Sequence, residues 1–452
     1  MKKVISMNLI NVIQMKTQSF WLTALLVLLG VFSTVNTNAA EKLMAGTGKV
    51  NITPPNPRYP VHDSLYARTL ILEAGASRIA FVSLDLVMYS NVPLAEKLKK
   101  QFGLQEVYFC PQHTHSGEAG PKEWLDAQIT KALKQASSSM FEARISAGYR
   151  SFPQLSFNRL LLREDGRARE SWVGDDHYRA VNPERIPHGP VDNSVGVIKL
   201  EDTKGNPKVI LMNYACHPDV AWNNFEISAD YVGYATKYTE EAFNNQVYCL
   251  FVQGGAGNQA PLFKDGGRTG PDDPRPSNYD LIDRMGKLLS IEAVKLAKEI
   301  YPNPYDVPNI KVKTDSLHFI GRHDKNLKYN VHFSVISINN RIAIATVPGE
   351  PFIKFQIDWK REMQPDHVIP FFFGYTWNNG RWPMYLHDFR SAAYGGVGAD
   401  EGSWHIEVGA GEKMFNKLIE NYYRMMGQNM KDKNGTRIDP SHLYIVGFWS
   451  TG

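Results

Sequence analysis

The chain has 452 residues, of which 43% are hydrophobic, 12% aromatic and 21% charged, figures that fit a foldable globular protein and exclude a disordered or fibrous one. Fifty basic against 46 acidic side chains leave a net charge of +4, too weak a bias to argue for a nucleic-acid partner. Three cysteines cannot build a disulfide framework, and 35 glycines with 26 prolines are ordinary usage.

At the N-terminus, Lys2, Lys3 and Lys16 precede the uncharged run Phe20–Phe32 (FWLTALLVLLGVF), and small residues follow at Thr37-Asn38-Ala39. A basic start, an apolar run and a small-residue exit predict a cleaved secretory signal over residues 1–39 and a secreted or periplasmic protein. A membrane-spanning helix would need about 20 apolar residues. Beyond it, Tyr66–Leu72 and Arg78–Leu84 read as a hairpin turning at Gly75, and Val107–Cys110 as a short strand. Trp124–Ser138 has helical periodicity, with Leu125, Ile129, Ala132 and Leu133 on one face. Val195–Leu200 and Lys208–Tyr214 are two further strands, Tyr231–Phe243 a helix and Val247–Val252 a strand. Asp280–Ala297 is helical, and Phe333–Val347 holds two strand-like runs around Asn339-Asn340. Leu160–Pro190, Lys264–Ser277 and Pro302–Asp306 look loose. This alternation predicts an α/β or mixed α+β fold, a mixed central sheet with flanking helices, and no composition shift divides residues 40–452 into more than one domain.

Four signals carry chemistry. His113-Thr114-His115 follows the strand ending at Cys110-Pro111, and the two rings share a face if the strand continues through them. Alone, such a pair is more often two surface histidines. His217 ends the apolar strand beginning at Val209; Cys216 beside it reads as a small buried hydrophobe. Glu350 sits in Thr346-Val347-Pro348-Gly349-Glu350-Pro351, again past an apolar strand. Gly254-Gly255-Ala256-Gly257-Asn258 could cradle an anion with its N–H groups, but lacks the spacing of a nucleotide loop. Two imidazoles and a carboxylate, each at a strand end, are the ligand set of a catalytic zinc that keeps one position open.

The order Gly46–Pro55 (GTGKVNITPP), Ser83–Leu86 (SLDL), HTHSG from His113, Asp192–Asp202 (DNSVGVIKLED), NYACHP ending at Pro218, Ile227–Tyr234 (ISADYVGY), Gln253–Pro261 (QGGAGNQAP) and Thr346–Glu350 (TVPGE) resembles the neutral/alkaline, non-lysosomal ceramidase family, collinearly from Gly46 to Tyr394. The resemblance implies a zinc-dependent amidohydrolase that cleaves the N-acyl bond of a ceramide-like lipid with metal-activated water. Its metal ligands would be His113, His217, Glu350 and a tyrosine near Tyr385, with Tyr394 and His387 as rivals for the last. His115 would stand beside the attacking water or the substrate oxygen, and Arg159 would face the site. Three departures stand out. Ala260 occupies the place of a family serine, which excludes a serine nucleophile there; Trp382–His387 (WPMYLH) departs from the family's Tyr-x-x-Thr pattern and is about three residues shorter before Tyr394; and Gly452 comes too soon for the family's C-terminal β-sandwich. The substrate would be a small molecule, lipid or glycan, a lipid bringing contact with a membrane surface. The alternatives are zinc-dependent hydrolysis of a sugar ester, N-acetyl sugar or glycoside, and a non-catalytic binding protein. Ile369–Phe373 reads either as an acyl-channel lining or as a buried strand.

Overall fold

The structure is a computed structural model that describes residues 41–162, 166–170, 189–221, 225–263, 278–364, 368–376, 382–395, 398–399 and 405–428. The apolar run Phe20–Phe32 and the stretch Lys264–Ser277 lie outside the described residues, as does most of Leu160–Pro190. In chain order the elements are β1 (Leu43–Asn51), β2 (Tyr66–Ala74), β3 (Ser77–Leu84), α1 (Val92–Phe102), β4 (Glu106–Pro111), α2 (Lys122–Ser138), β5 (Phe141–Ser151), β6 (Ser156–Asn158), β7 (Leu160–Leu162) and β8 (Ala168–Glu170). Then come β9 (Ser194–Asp202), β10 (Pro207–Tyr214), α3 (Asp230–Ala242), β11 (Tyr248–Gln253), β12 (Gln259–Pro261), α4 (Tyr279–Glu299), β13 (Ile310–Ile320), β14 (Lys328–Ile338) and β15 (Ile342–Thr346). The last are β16 (Glu350–Pro351), α5 (Ile353–Met363), β17 (Ile369–Phe373), β18 (Tyr385–Leu386), α6 (Phe389–Tyr394) and α7 (Ala410–Met425).

An eight-stranded sheet runs β11-β10-β9-β5-β1-β2-β3-β4, and a four-stranded sheet runs β13-β14-β15-β17. Both are mixed: β3 and β4, β10 and β11, and β15 and β17 pair in parallel, their neighbours antiparallel. Alternate side chains leave opposite faces of a strand, and here both faces are buried, so the strands read as almost continuous apolar runs. On β2, Leu70 and Leu72 join one core while Ala67 and Ile71 join another. The first of these cores lies between the sheets, where Leu70, Phe81, Leu211 and Val252 meet Ile336, Ile344, Phe371 and Phe373. Helices α1 and α2 cover β1–β4, and α3 and α4 cover β9–β11. Helices α5 and α7 cover the outer face of the small sheet through Phe355, Trp359, Met414 and Leu418. The result is a helix–sheet–sheet–helix stack, the mixed sheet with flanking helices that the alternation predicts.

Helix α2 buries the predicted face, Leu125, Ile129, Ala132 and Leu133. The Ile369–Phe373 run is β17, whose Phe371, Phe372 and Phe373 are fully buried in the two cores, so it lines no acyl channel. One feature of the large sheet positions everything that follows. Its two edges approach each other: Ser83 Oγ on β3 donates to the Phe251 carbonyl of β11 (2.7 Å), and Arg68 on β2 donates to the Cys249 carbonyl (3.2 Å). Beyond the strand ends, the His115 N–H donates to the Pro218 carbonyl (3.1 Å), so the loops after β4 and β10 meet although the sheet order sets them far apart. Among the described residues no helix is long and apolar enough to cross a membrane.

Candidate metal centre

His113, His217 and Glu350 arrive from three strand ends. After β4, Gln112 and His113 leave the ladder: His113 adopts φ 75, so the strand does not continue through the HTH motif. That corrects the straight-strand expectation. The two rings come together by a turn instead, edge to face with centroids 4.8 Å apart. His217 follows β10, and its N–H donates to the Gln259 carbonyl at the start of β12 (3.1 Å). Glu350 opens β16 and lies in parallel register with Tyr385 of β18, its N–H bonded to the Met384 carbonyl (2.8 Å). The turn before it needs Gly349 at φ 75, where a Cβ would lie 2.6 Å from the Met384 carbonyl oxygen.

All three residues are at most 3% exposed. His113 Nδ1 lies 2.6 Å from the Val87 carbonyl and His217 Nδ1 lies 2.7 Å from the Ala256 carbonyl. A carbonyl only accepts, so each Nδ1 carries a proton and each ring turns its Nε2 toward Glu350. Burial, with the Arg159 guanidinium beside it, pushes the His217 pKa down to about 4 and keeps that ring neutral. Glu350 Oε2 sits 3.2 Å from His113 Nε2 and 3.3 Å from His217 Nε2, yet receives no well-formed hydrogen bond. Ligand atoms held ~2.0–2.1 Å from a tetrahedral zinc stand roughly 3.3 Å apart. Two imidazole Nε2 atoms at that distance from one buried carboxylate oxygen, and within 4.8 Å of each other, fit the ligand shell of a divalent cation. His115 is at the margin: its ring nitrogen falls within 4.8 Å of those of His113 and His217, and the residue is more exposed than either.

The β6–β12 hairpin brings in the rest. Arg159, just past β6, is 2% exposed, and its Nη2 donates to the Gly257 carbonyl (2.9 Å) and the Tyr385 hydroxyl (3.0 Å), 3.4 Å from His217 Nε2. All six residues singled out in the sequence, His113, His115, Arg159, His217, Glu350 and Tyr385, therefore gather in one place. Of the rivals for the tyrosine position, Tyr394 ends α6 beside Arg390, and His387 is buried next to Arg322 and His405. The Gly-rich loop is no anion cradle. It supplies carbonyls that fix His217 and Arg159, and Gly257 is glycine because a Cβ would sit 2.4 Å from the Glu350 carbonyl oxygen. Ala260 is 2% exposed within β12, paired with Phe157, and offers no hydroxyl. Cys216 is fully buried in the core under α3 and α4 and is no ligand.

One residue of the site escapes the sequence reading. Tyr375, two residues past β17, is fully buried with its ring 4.6 Å from that of His113 and 6.3 Å from that of His217. Burial, and the Glu350 carboxylate nearby, raise its phenol well above the ordinary tyrosine value. The signal was present, because Tyr375 is a polar residue at the end of an apolar strand, the same pattern that marks His113, His217 and Glu350.

A mixed-sheet α/β protein with a His–His–Glu centre at its strand ends is the class this geometry defines. No protein-family model matches the chain. Over 202 residues it is 26% identical to neutral ceramidase A of Dictyostelium discoideum, a match spanning 41% of this chain and 28% of that protein's length. Its fold is similar to that of the neutral ceramidase from Pseudomonas aeruginosa, with TM-score 0.64 and 15% identity over 89% of this chain and 77% of that one. It is also similar to a ceramidase complexed with C2, with TM-score 0.66 and 15% identity over 89% of this chain and 78% of that one. Together these place the fold with the neutral ceramidases and support a neutral ceramidase-like family for the chain.

Proposed function

We propose that this protein is a secreted or periplasmic zinc-dependent hydrolase that cleaves an N-acyl amide of a ceramide-like lipid. The observation that carries the reading is the convergence of His113 Nε2 and His217 Nε2 on Glu350 Oε2, at 3.2 and 3.3 Å, with each Nδ1 tied to a carbonyl. These three would hold the metal, and Tyr385, in register with Glu350, would complete the set. Zinc bound by these residues would supply Lewis acidity toward the scissile carbonyl and activate water at neutral pH. The chain's own groups do the rest. Arg159 orients the Tyr385 hydroxyl and keeps positive charge beside His217. His115, at the margin of the cluster, hydrogen-bonds the developing oxyanion or hands a proton to the leaving amine. A side-chain nucleophile at position 260 is not needed, so Ala260→Ser is expected to leave turnover within a few-fold of wild type.

Elemental analysis of the purified protein should find a single zinc, and its absence would end the reading. Mass analysis of products from a long-chain N-acyl sphingoid amide, a sugar ester, an N-acetyl sugar and a glycoside then separates substrates. Fatty acid release from the amide is expected; turnover of the sugars alone would move the protein to carbohydrate chemistry. Export rests on the N-terminal residues, and sequencing of protein recovered outside the cytoplasm should begin at Ala40.

A further inference from the structure

We infer that the Tyr375 hydroxyl is a catalytic hydrogen-bond donor of this site, directed at the acyl oxygen of the substrate. The inference rests on the hydrolase reading above and adds a residue to it. Buried tyrosine hydroxyls normally find a partner. The Tyr375 side chain is fully buried, and its hydroxyl has no hydrogen-bond partner among the described residues. A donor left over in a dry site is kept for something that arrives.

Its placement is enforced by the backbone. Tyr375 adopts φ 59, a left-handed conformation that a bulky aromatic residue rarely takes and that persists only where neighbours over-determine it. Here they do. The Gly374 N–H donates to the Gln253 carbonyl (2.9 Å), the Tyr375 N–H to the Gly349 carbonyl (3.1 Å), and the Thr376 N–H to the Val347 carbonyl (3.1 Å). These bonds tie the segment to the end of β11 and to the turn that carries Glu350. The same tie turns the ring onto His113, with centroids 4.6 Å apart. A residue needed only to fill space would not require a strained backbone and could as well be phenylalanine.

Tyr375→Phe keeps the ring and deletes the hydroxyl alone. The expected result is kcat lower by about 10²-fold, the scale seen on removing one oxyanion donor, with KM within about 3-fold. Zinc content should be unchanged. A phosphonate analogue of the acyl amide, which presents a tetrahedral anion, should bind about 10²-fold more weakly, while the free fatty acid product binds as before. Wild-type kcat and phosphonate affinity in the variant would overturn the inference, because the ring alone would then account for Tyr375. Loss of zinc from the variant would overturn it too, by making Tyr375 a ligand. Should the wild-type protein hold zinc and bind the phosphonate yet cleave no N-acyl amide, the proposed substrate fails, and the phosphonate arm still decides Tyr375.

Discussion

Among the described residues, nine non-glycine positions have left-handed backbone, and three of them, His113, Tyr375 and Met384, stand at one cluster of side chains. His113 and Tyr375 stand at φ 75 and 59, Gly349 beside Glu350 at 75, and Met384 beside Tyr385 at 53. Left-handed backbone at non-glycine residues costs free energy on the order of 1–3 kcal/mol each, and it persists where it serves a geometry. The geometry served is the meeting of Nε2, Nε2 and Oε2. His113→Ala and His217→Ala are each expected to lose the zinc, since a site stripped of one imidazole ligand holds metal far more weakly. His115→Ala should keep most of the zinc and lose activity by roughly 10²–10⁴-fold, the range for a group doing acid–base or oxyanion work. Metal content and turnover measured on the three variants check this. Equal zinc loss in all three would make His115 a ligand; full activity without it would make it a bystander. The residue types were legible because each polar side chain interrupts an apolar strand end. Their approach was not legible, because a left-handed turn at a histidine has no signature in the residues around it.

At the scale of elements, the hairpin turning at Gly75, helix α2 and the strands before the site residues were all readable from periodicity, for their apolar faces are continuous. The Gly-rich loop was readable as a loop and misleading as to purpose. Its glycines suggested an anion, whereas they allow backbone to press on backbone: the Gly257 N–H donates to the Pro351 carbonyl (2.9 Å), and its own carbonyl accepts from Arg159. Such contacts link segments nearly a hundred residues apart, beyond the reach of any local pattern. Gly257→Ala should push the loop away from β16, destabilise the fold by about 1–3 kcal/mol and weaken zinc binding, because Ala256 and Glu350 move with it. Thermal melts with and without added zinc test this. Unchanged stability and metal affinity would show that the loop and β16 can separate without disturbing the centre.

Over the whole molecule, the decisive event is the approach of the two edges of the large sheet, which brings the loop after β4 against the loop after β10. Sequence gives strands but not such a closure, since it is made by single side chains such as Ser83 and Arg68 reaching carbonyls across the gap. Asp85 sits at this junction, accepting from the Tyr66 N–H (2.8 Å) and from Gln112 Nε2, and is 3% exposed. Burial raises its pKa from 3.8 to about 7, against the opposing pull of Arg68 and the Tyr66 hydrogen bond. Between those two values the folded chain keeps a proton that the unfolded chain releases. The stability contributed by this group is therefore fully present below pH 3.8, falls as the pH rises toward about 7, and is level above that. The total loss is on the order of a few kcal/mol. Asparagine at this position cannot ionise. It can still accept from Tyr66, and the Gln112 amide, whose Oε1 makes no hydrogen bond, can flip to accept from the new N–H₂. Asp85→Asn should accordingly gain on wild type by a few kcal/mol between pH 4 and pH 7.5, measured as the difference in unfolding free energy in urea at the two values. Other buried acids, such as Asp230, contribute equally to both proteins and cancel in that difference. Parallel stability profiles for the two proteins across this window would show that Asp85 stays ionised in the fold, held by Arg68 despite its burial.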